Sequence, residues 1–183
     1  SLTLDEIKNA VTGKTYACFE PAIDYTVIKF PRWPFDKFAL ADRALGTQMK
    51  ATGEVMSIDR SLEGAILKAR SLEIGLTGLA IEGAEDFTEE QLENKLKHPE
   101  DERIFIIAEA FRRGMLVDRV HNLTKIDRFF LEKIRDVVML EKEILSVKGD
   151  ITKLSLDTLA RTKALGFSDS NLSKIMGISE EQI

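Results

Sequence analysis

The spacing of apolar residues changes character near residue 75. Before it, short runs of β-branched and aromatic residues alternate with turn signals; after it, only helical spacing recurs. The run Asp24-Tyr-Thr-Val-Ile-Lys-Phe30 predicts a strand, stopped by Pro31-Arg-Trp-Pro34 because proline cannot continue a ladder. Gly53-Glu-Val-Met-Ser-Ile-Asp59 predicts a second strand. Ser61 then caps a helix to about Ile74, with Leu62, Ala65, Ile66, Ala69 and Leu72 on its buried side. Near the start, Thr3-Leu-Asp-Glu6 forms a capping box and predicts a short helix to about Ala10, ended by Gly13.

Residues 75–86 hold three glycines and read as a linker or domain boundary. Thr88-Glu-Glu-Gln91 is a second capping box, opening a helix to about Lys97. Pro99 suits the first turn of the next helix, which runs through Arg113 and stops at Gly114. Its centre, Ile104-Phe-Ile-Ile-Ala-Glu-Ala-Phe111, is apolar on almost every side, the mark of a surrounded helix. Asp127 opens the longest helix, to about Val147. On a helical wheel Phe129, Phe130, Leu131, Ile134, Val137, Val138, Leu140, Ile144, Leu145 and Val147 cover about 200°. One core needs roughly half of that. The excess predicts two packing surfaces, in two layers of one domain or in one layer and another subunit. Glu141 falls inside the sector and is expected at the rim or paired with an arginine. Further helices run from Ser155 to Leu165, closed by Gly166, and from Ser168 or Asp169 to Met176, closed by Gly177. Ser179-Glu-Glu-Gln182 is a start signal for a helix left incomplete at Ile183, so the natural polypeptide is expected to continue.

The fold class expected is mostly α: a helical domain over 75–183, preceded by a small α+β segment over 1–72. A composition 44% hydrophobic and 31% charged supplies enough apolar mass for a core. No run approaches the roughly 18 apolar residues that span a bilayer, so no membrane partner is expected. The net charge of −5 sits in the second half, which excludes the basic stripe of a nucleic-acid binder. A single cysteine, Cys18, excludes an internal disulfide and fits a reducing, cytoplasmic setting; it reads as a small buried side chain.

Candidate chemistry is sparse. His98 and His121 have no partner at zinc-ligand spacing, so no metal site is expected, and no complete phosphate-cradling glycine loop is present. Gly13-Lys-Thr15 has the end of such a loop without its upstream glycine. No catalytic or cofactor-binding constellation emerges. The densest unusual stretch is Thr47-Gln-Met-Lys-Ala-Thr-Gly-Glu-Val-Met56. There Glu54 reads either as a salt-bridged surface residue or as a polar group in an apolar wall.

Four stretches together resemble the large chain of carbamoyl phosphate synthetase. They are Phe19-Glu-Pro-Ala-Ile-Asp-Tyr25 with Lys29-Phe-Pro-Arg-Trp33, then Gln48-Met-Lys-Ala-Thr-Gly-Glu-Val-Met56, then Arg103 to Gly114, and finally Asn122-Leu-Thr-Lys-Ile-Asp-Arg-Phe-Phe130. They follow the family's order and spacing along the whole chain. One departure stands at Ser57-Ile-Asp-Arg-Ser61, where Asp59 replaces the family's usual glycine.

The resemblance implies that residues 1–72 end an ATP-grasp domain and that residues 75–183 form a helical oligomerisation domain joining two synthetase halves. It implies a cytoplasmic ligase of arginine or pyrimidine biosynthesis that makes carbamoyl phosphate from bicarbonate and glutamine-derived ammonia. ATP and Mg2+ or Mn2+ would be bound by other parts of the large chain, so this piece alone is expected to be inactive. The implied partners are the rest of the large chain, a glutaminase small subunit and further copies joined through the helical domain. By similarity, Ile23 and Met49 would line an ammonia route and Glu54 a carbamate route. The alternative from the residues alone is a free-standing helical interaction module without catalysis.

Overall fold

A computed structural model describes residues 1–20, 22–38, 40–74 and 78–183, with the side chains of 71–74 left out of the description. Strands β1 (Thr26–Arg32) and β2 (Gly53–Asp59) pair antiparallel, with Ile28 opposite Ser57 and Phe30 opposite Val55. Alternation sends Ile28 and Phe30 towards the core and leaves Val27, Lys29, Glu54, Met56 and Ile58 exposed on the other face. Helix α1 (Leu62–Ile74) backs the inner face, its first turn capped by Ser61 Oγ accepting the Gly64 N–H at 3.0 Å.

The helical region holds α2 (Glu89–Lys97), α3 (Arg103–Arg112), α4 (Val117–Thr124), α5 (Arg128–Ser146), α6 (Leu156–Ala164) and α7 (Asp169–Met176). The side chains of Phe105 to Phe111 are all buried, so α3 is the surrounded helix its composition predicts. Helix α5 packs against α3 and α4, against α7 and against α1. Its broad apolar sector is therefore covered largely by layers of this chain itself. What stays out lies at its ends: Phe129 (53% exposed), Phe130 (48%) and Leu145 (47%).

Several expectations change. Only half of the capping box at Thr3 forms: the Glu6 carboxylate accepts the Thr3 N–H at 2.9 Å, but the Glu6 N–H bonds the Thr3 carbonyl and only a turn follows. A helix nucleus is costly, and Leu2, Leu4 and Ile7 find no core there to repay it. The chain instead closes a loop through a bridge between Lys8 and Tyr16. Pro31 does not end β1: each strand of a two-stranded ribbon has an open edge, where a missing N–H costs no ladder bond. Pro99 does not open α3. Its carbonyl accepts the Leu45 N–H at 2.7 Å, Glu100 bridges Ala44, and the helix starts at Arg103. Helix α4 lies where no element was expected. It lacks a side-chain cap and ends on Lys125 in the left-handed conformation (φ 60°), so neither usual boundary residue announces it. Cys18 is exposed, not buried.

Of the glycine-rich 75–86 stretch, 75–77 lie outside the described residues. The rest is packed down: Leu79 and Ala84 are buried, and a short 3-10 turn spans Ala84–Asp86. Leu72 of the expected α1 face also falls outside the described side chains.

Candidate functional site

The two parts of the chain differ in burial. No described residue before Ser57 is buried, whereas the continuous apolar core begins in α1 and runs to Met176. Of the twenty large apolar side chains left exposed among the described residues, fourteen precede residue 60. The first part is thus a wall one layer thick, resting on a helical region with its own core.

The three candidate site residues lie on that wall. Ile23 precedes β1 and is 60% exposed, and Met49 lies between the strands and is 87% exposed. Glu54 is on the outward face of β2, where its carboxylate takes a 2.7 Å hydrogen bond from Lys29 Nζ. A salt-bridged surface residue is what the residues alone give for Glu54. It is flanked by the apolar outer side chains Met56 and Ile58, so one charged pair interrupts a greasy surface.

Besides the packing of β1 and β2 on α1, a polar latch holds this wall to the helices. Arg43 makes a bidentate pair with Asp101, Nε to Oδ1 and Nη2 to Oδ2 both at 2.8 Å, and reaches Glu102 at 2.7 Å. These bonds, the Asp101 one foremost, push the guanidinium further above its ordinary pKa against the opposing effect of desolvation. Beside it run the Leu45–Pro99 hydrogen bond and the Ala44–Glu100 bridge. Lys50 Nζ donates to the carbonyls of Asp42 (2.9 Å) and Ala44 (2.6 Å) and to the Asp42 carboxylate (3.0 Å). The Ala44 N–H and then Lys50 hold the Asp42 carboxyl below its ordinary value. Only the run of three acids after Pro99, Glu100-Asp101-Glu102, hinted at this, and nothing in the sequence placed Arg43 opposite them.

Above this latch, β1, α1, α3 and α5 enclose a cleft of about 530 Å3. Ile28, Phe30, Leu62, Ile104, Ile126 and Phe130 line it, with Glu100, Asp101 and Arg103 also at its wall. Its chemistry is apolar enclosure, without converging nucleophile and base.

A second polar cluster ties the 78–87 stretch down. Arg113 donates to the carbonyls of Phe87 (2.5 Å), Ala84 (2.9 Å) and Glu85 (2.9 Å), and Arg112 to that of Leu79 (3.2 Å). Arg112 also pairs with the buried Glu141 at 2.7 Å, the arginine partner expected for that acid. His98 bonds Asn94 and His121 bonds the Ile126 carbonyl. Among the described residues no cluster of three or more potential ligands could hold a metal. No helix among them is long and apolar enough to cross a membrane.

Residues 54–183 match the family described as carbamoyl-phosphate synthetase large chain, oligomerisation domain. Over all 183 residues the chain is 50% identical to the carbamoyl phosphate synthase large chains of Caldanaerobacter subterraneus subsp. tengcongensis and Thermoanaerobacter pseudethanolicus. It covers 100% of its own length and 17% of theirs. The chain therefore belongs to the carbamoyl phosphate synthetase large-chain family and carries its oligomerisation domain.

Proposed function

We propose that this chain serves carbamoyl phosphate synthesis as a segment of assembly and enclosure. Residues 75–183 join copies of the large chain and link its synthetase halves, and residues 1–72 form one wall of an ATP-grasp domain. In the whole enzyme that domain would use ATP with Mg2+ or Mn2+, bicarbonate and glutamine-derived ammonia from a glutaminase subunit, in the cytoplasm. Those ligands would be held outside this segment, which alone turns nothing over.

The observation that carries the reading is the uneven burial: a self-sufficient helical core beside some sixty residues with most of their large apolar side chains turned out. A free-standing docking module would fully bury the inner layer of its own head, whereas Ile28 and Phe30 are only half-buried and no described residue before Ser57 is buried. The reactive intermediates of such a synthesis decompose in water, so a wall that excludes solvent is the contribution such a surface can make. Ile23 and Met49 suit an ammonia route, because an apolar lining disfavours the ammonium ion. Glu54, with Lys29, suits a polar point on a carbamate route.

The test is Glu54→Ala and, separately, Met49→Trp in the full-length enzyme, reading ATP hydrolysed per carbamoyl phosphate formed. The expected outcome is hydrolysis that continues while product falls. Unchanged coupling in both variants rejects the wall role.

A further inference from the structure

The stretch that carries Met49 has almost nothing beneath it, so its shape must be set from elsewhere. Met49 is 87% exposed, and no residue from Ala44 to Met56 is buried. Left to itself, each such residue would gain roughly 1–2 kcal/mol of conformational entropy by wandering. The far end of the stretch is held by β2, where the Thr52 N–H donates to the Arg32 carbonyl at 3.0 Å and Glu54 pairs with Pro31, and three ties hold its near end. Lys50 returns to the 42–44 backbone, the 44–45 backbone pairs with 99–100, and Arg43 grips Asp101 and Glu102 at the entrance to α3. Only Gly46, Thr47 and Gln48 separate this anchored stretch from Met49.

We propose that Arg43, clamped by Asp101 and Glu102, is a positioning residue for the Met49–Glu54 stretch, so that the oligomerisation region sets the geometry of the catalytic wall. The proposal rests on the wall reading above. It adds that the helical region does more than join copies: the entrance to α3 is the fixed point against which the passage is built. The planar guanidinium suits this task, because a bidentate pair fixes orientation as well as distance. A lysine ammonium could reach the same carboxylates, but as a point charge without a planar fork it would not fix their orientation. An isolated pair of this exposure would add little stability, so the clamp's effect should appear in coupling rather than in folding.

The experiment uses the full-length large chain, with ammonia supplied directly, and compares Arg43→Ala, Arg43→Lys, the isosteric double variant Asp101→Asn with Glu102→Gln, and Glu54→Ala. Each is assayed for ATP hydrolysis, carbamoyl phosphate formation and assembled mass. Arg43→Ala and the double variant are expected to lower product about tenfold or more, as small misplacements at a reaction path do. ATP hydrolysis and assembled mass should stay nearly unchanged, and Arg43→Lys should recover part of the loss. An unchanged product-to-hydrolysis ratio, or hydrolysis and product falling together, overturns the proposal. If Arg43→Ala does not fold, the double variant keeps the side-chain volumes and decides by the same ratio. Uncoupling by Arg43→Ala with intact coupling in Glu54→Ala would remove Glu54 from the wall and keep the clamp; the reverse pattern would remove the clamp and keep Glu54.

Discussion

Gly166 and Gly64 meet back to back: a side chain at Gly166 would press on backbone, and one at Gly64 would require the Asp59 and Ser61 side chains to move. A Cβ at Gly166 would lie 3.0 Å from the Gly64 Cα, at a φ of +86° that side chains rarely adopt. At Gly64 a Cβ would lie 2.7 Å from an Asp59 carboxylate oxygen. Asp59 itself accepts the Ser61 N–H at 3.2 Å, so the residue that departs from the family's usual glycine makes its own local turn. Gly166→Ala should cost about 2–4 kcal/mol, combining left-handed strain with overpacking. Chemical denaturation reads this directly, and a loss below about 0.5 kcal/mol would show that the two turns part easily. Arg112→Ala should cost a similar 2–4 kcal/mol, since it leaves Glu141 buried without its cation. At this scale the pairing of Glu141 was legible, because an acid inside an apolar sector needs a counter-charge. Arg43 was not, because its partners lie 58 residues away in sequence. Cys18 was misjudged because the small thiol's usual burial presumes a core nearby, and its stretch has none.

Elements with strong boundary chemistry could be read directly. Thr88 with Gln91, Asp127, Ser155 and Ser168 each cap the helix expected of them, and Gly177 closes α7 in the left-handed conformation. Helix α4 has neither signal, and the Thr3 capping box has the signal without a core to support a helix. Capping selects where a helix starts, but burial decides whether it persists. The same reasoning governs α5. Its apolar width was visible on a wheel, while the covering of most of it by α1, α3, α4 and α7 depends on tertiary placement. Its aromatic start, Phe129 edge-on to Phe130 at 5.3 Å, remains open to a neighbour. Phe129→Glu should therefore change unfolding free energy by less than about 1 kcal/mol while shifting sedimentation towards smaller species. Unaltered association would move the assembly surface elsewhere. Between α1 and α5, Glu63 holds the Lys133 ammonium above its ordinary value of 10.5. A raised cation stabilises fully below its unfolded value and is lost as pH climbs through the folded one. The lysine's share of this tie is thus constant across neutral pH and is lost in strong alkali.

Across the whole molecule, the balance of surface is the deciding quantity. The chain exposes 11724 Å2, whereas a compact globular protein of its mass exposes about 8,900 Å2. The difference is not spread evenly. Among the described residues, fourteen of the twenty exposed large apolar side chains precede residue 60, while residues from α1 onward form one core. Hydrogen–deuterium exchange along the isolated 1–183 chain tests this division most directly. Amides of α3 and α5 should exchange slowly, at the free energy of global unfolding, while those before β1 and between β1 and β2 exchange within seconds. Uniform slow exchange from residue 1 to 183 in a monomer would mean that the first layer needs nothing to cover it, contradicting its role as a wall.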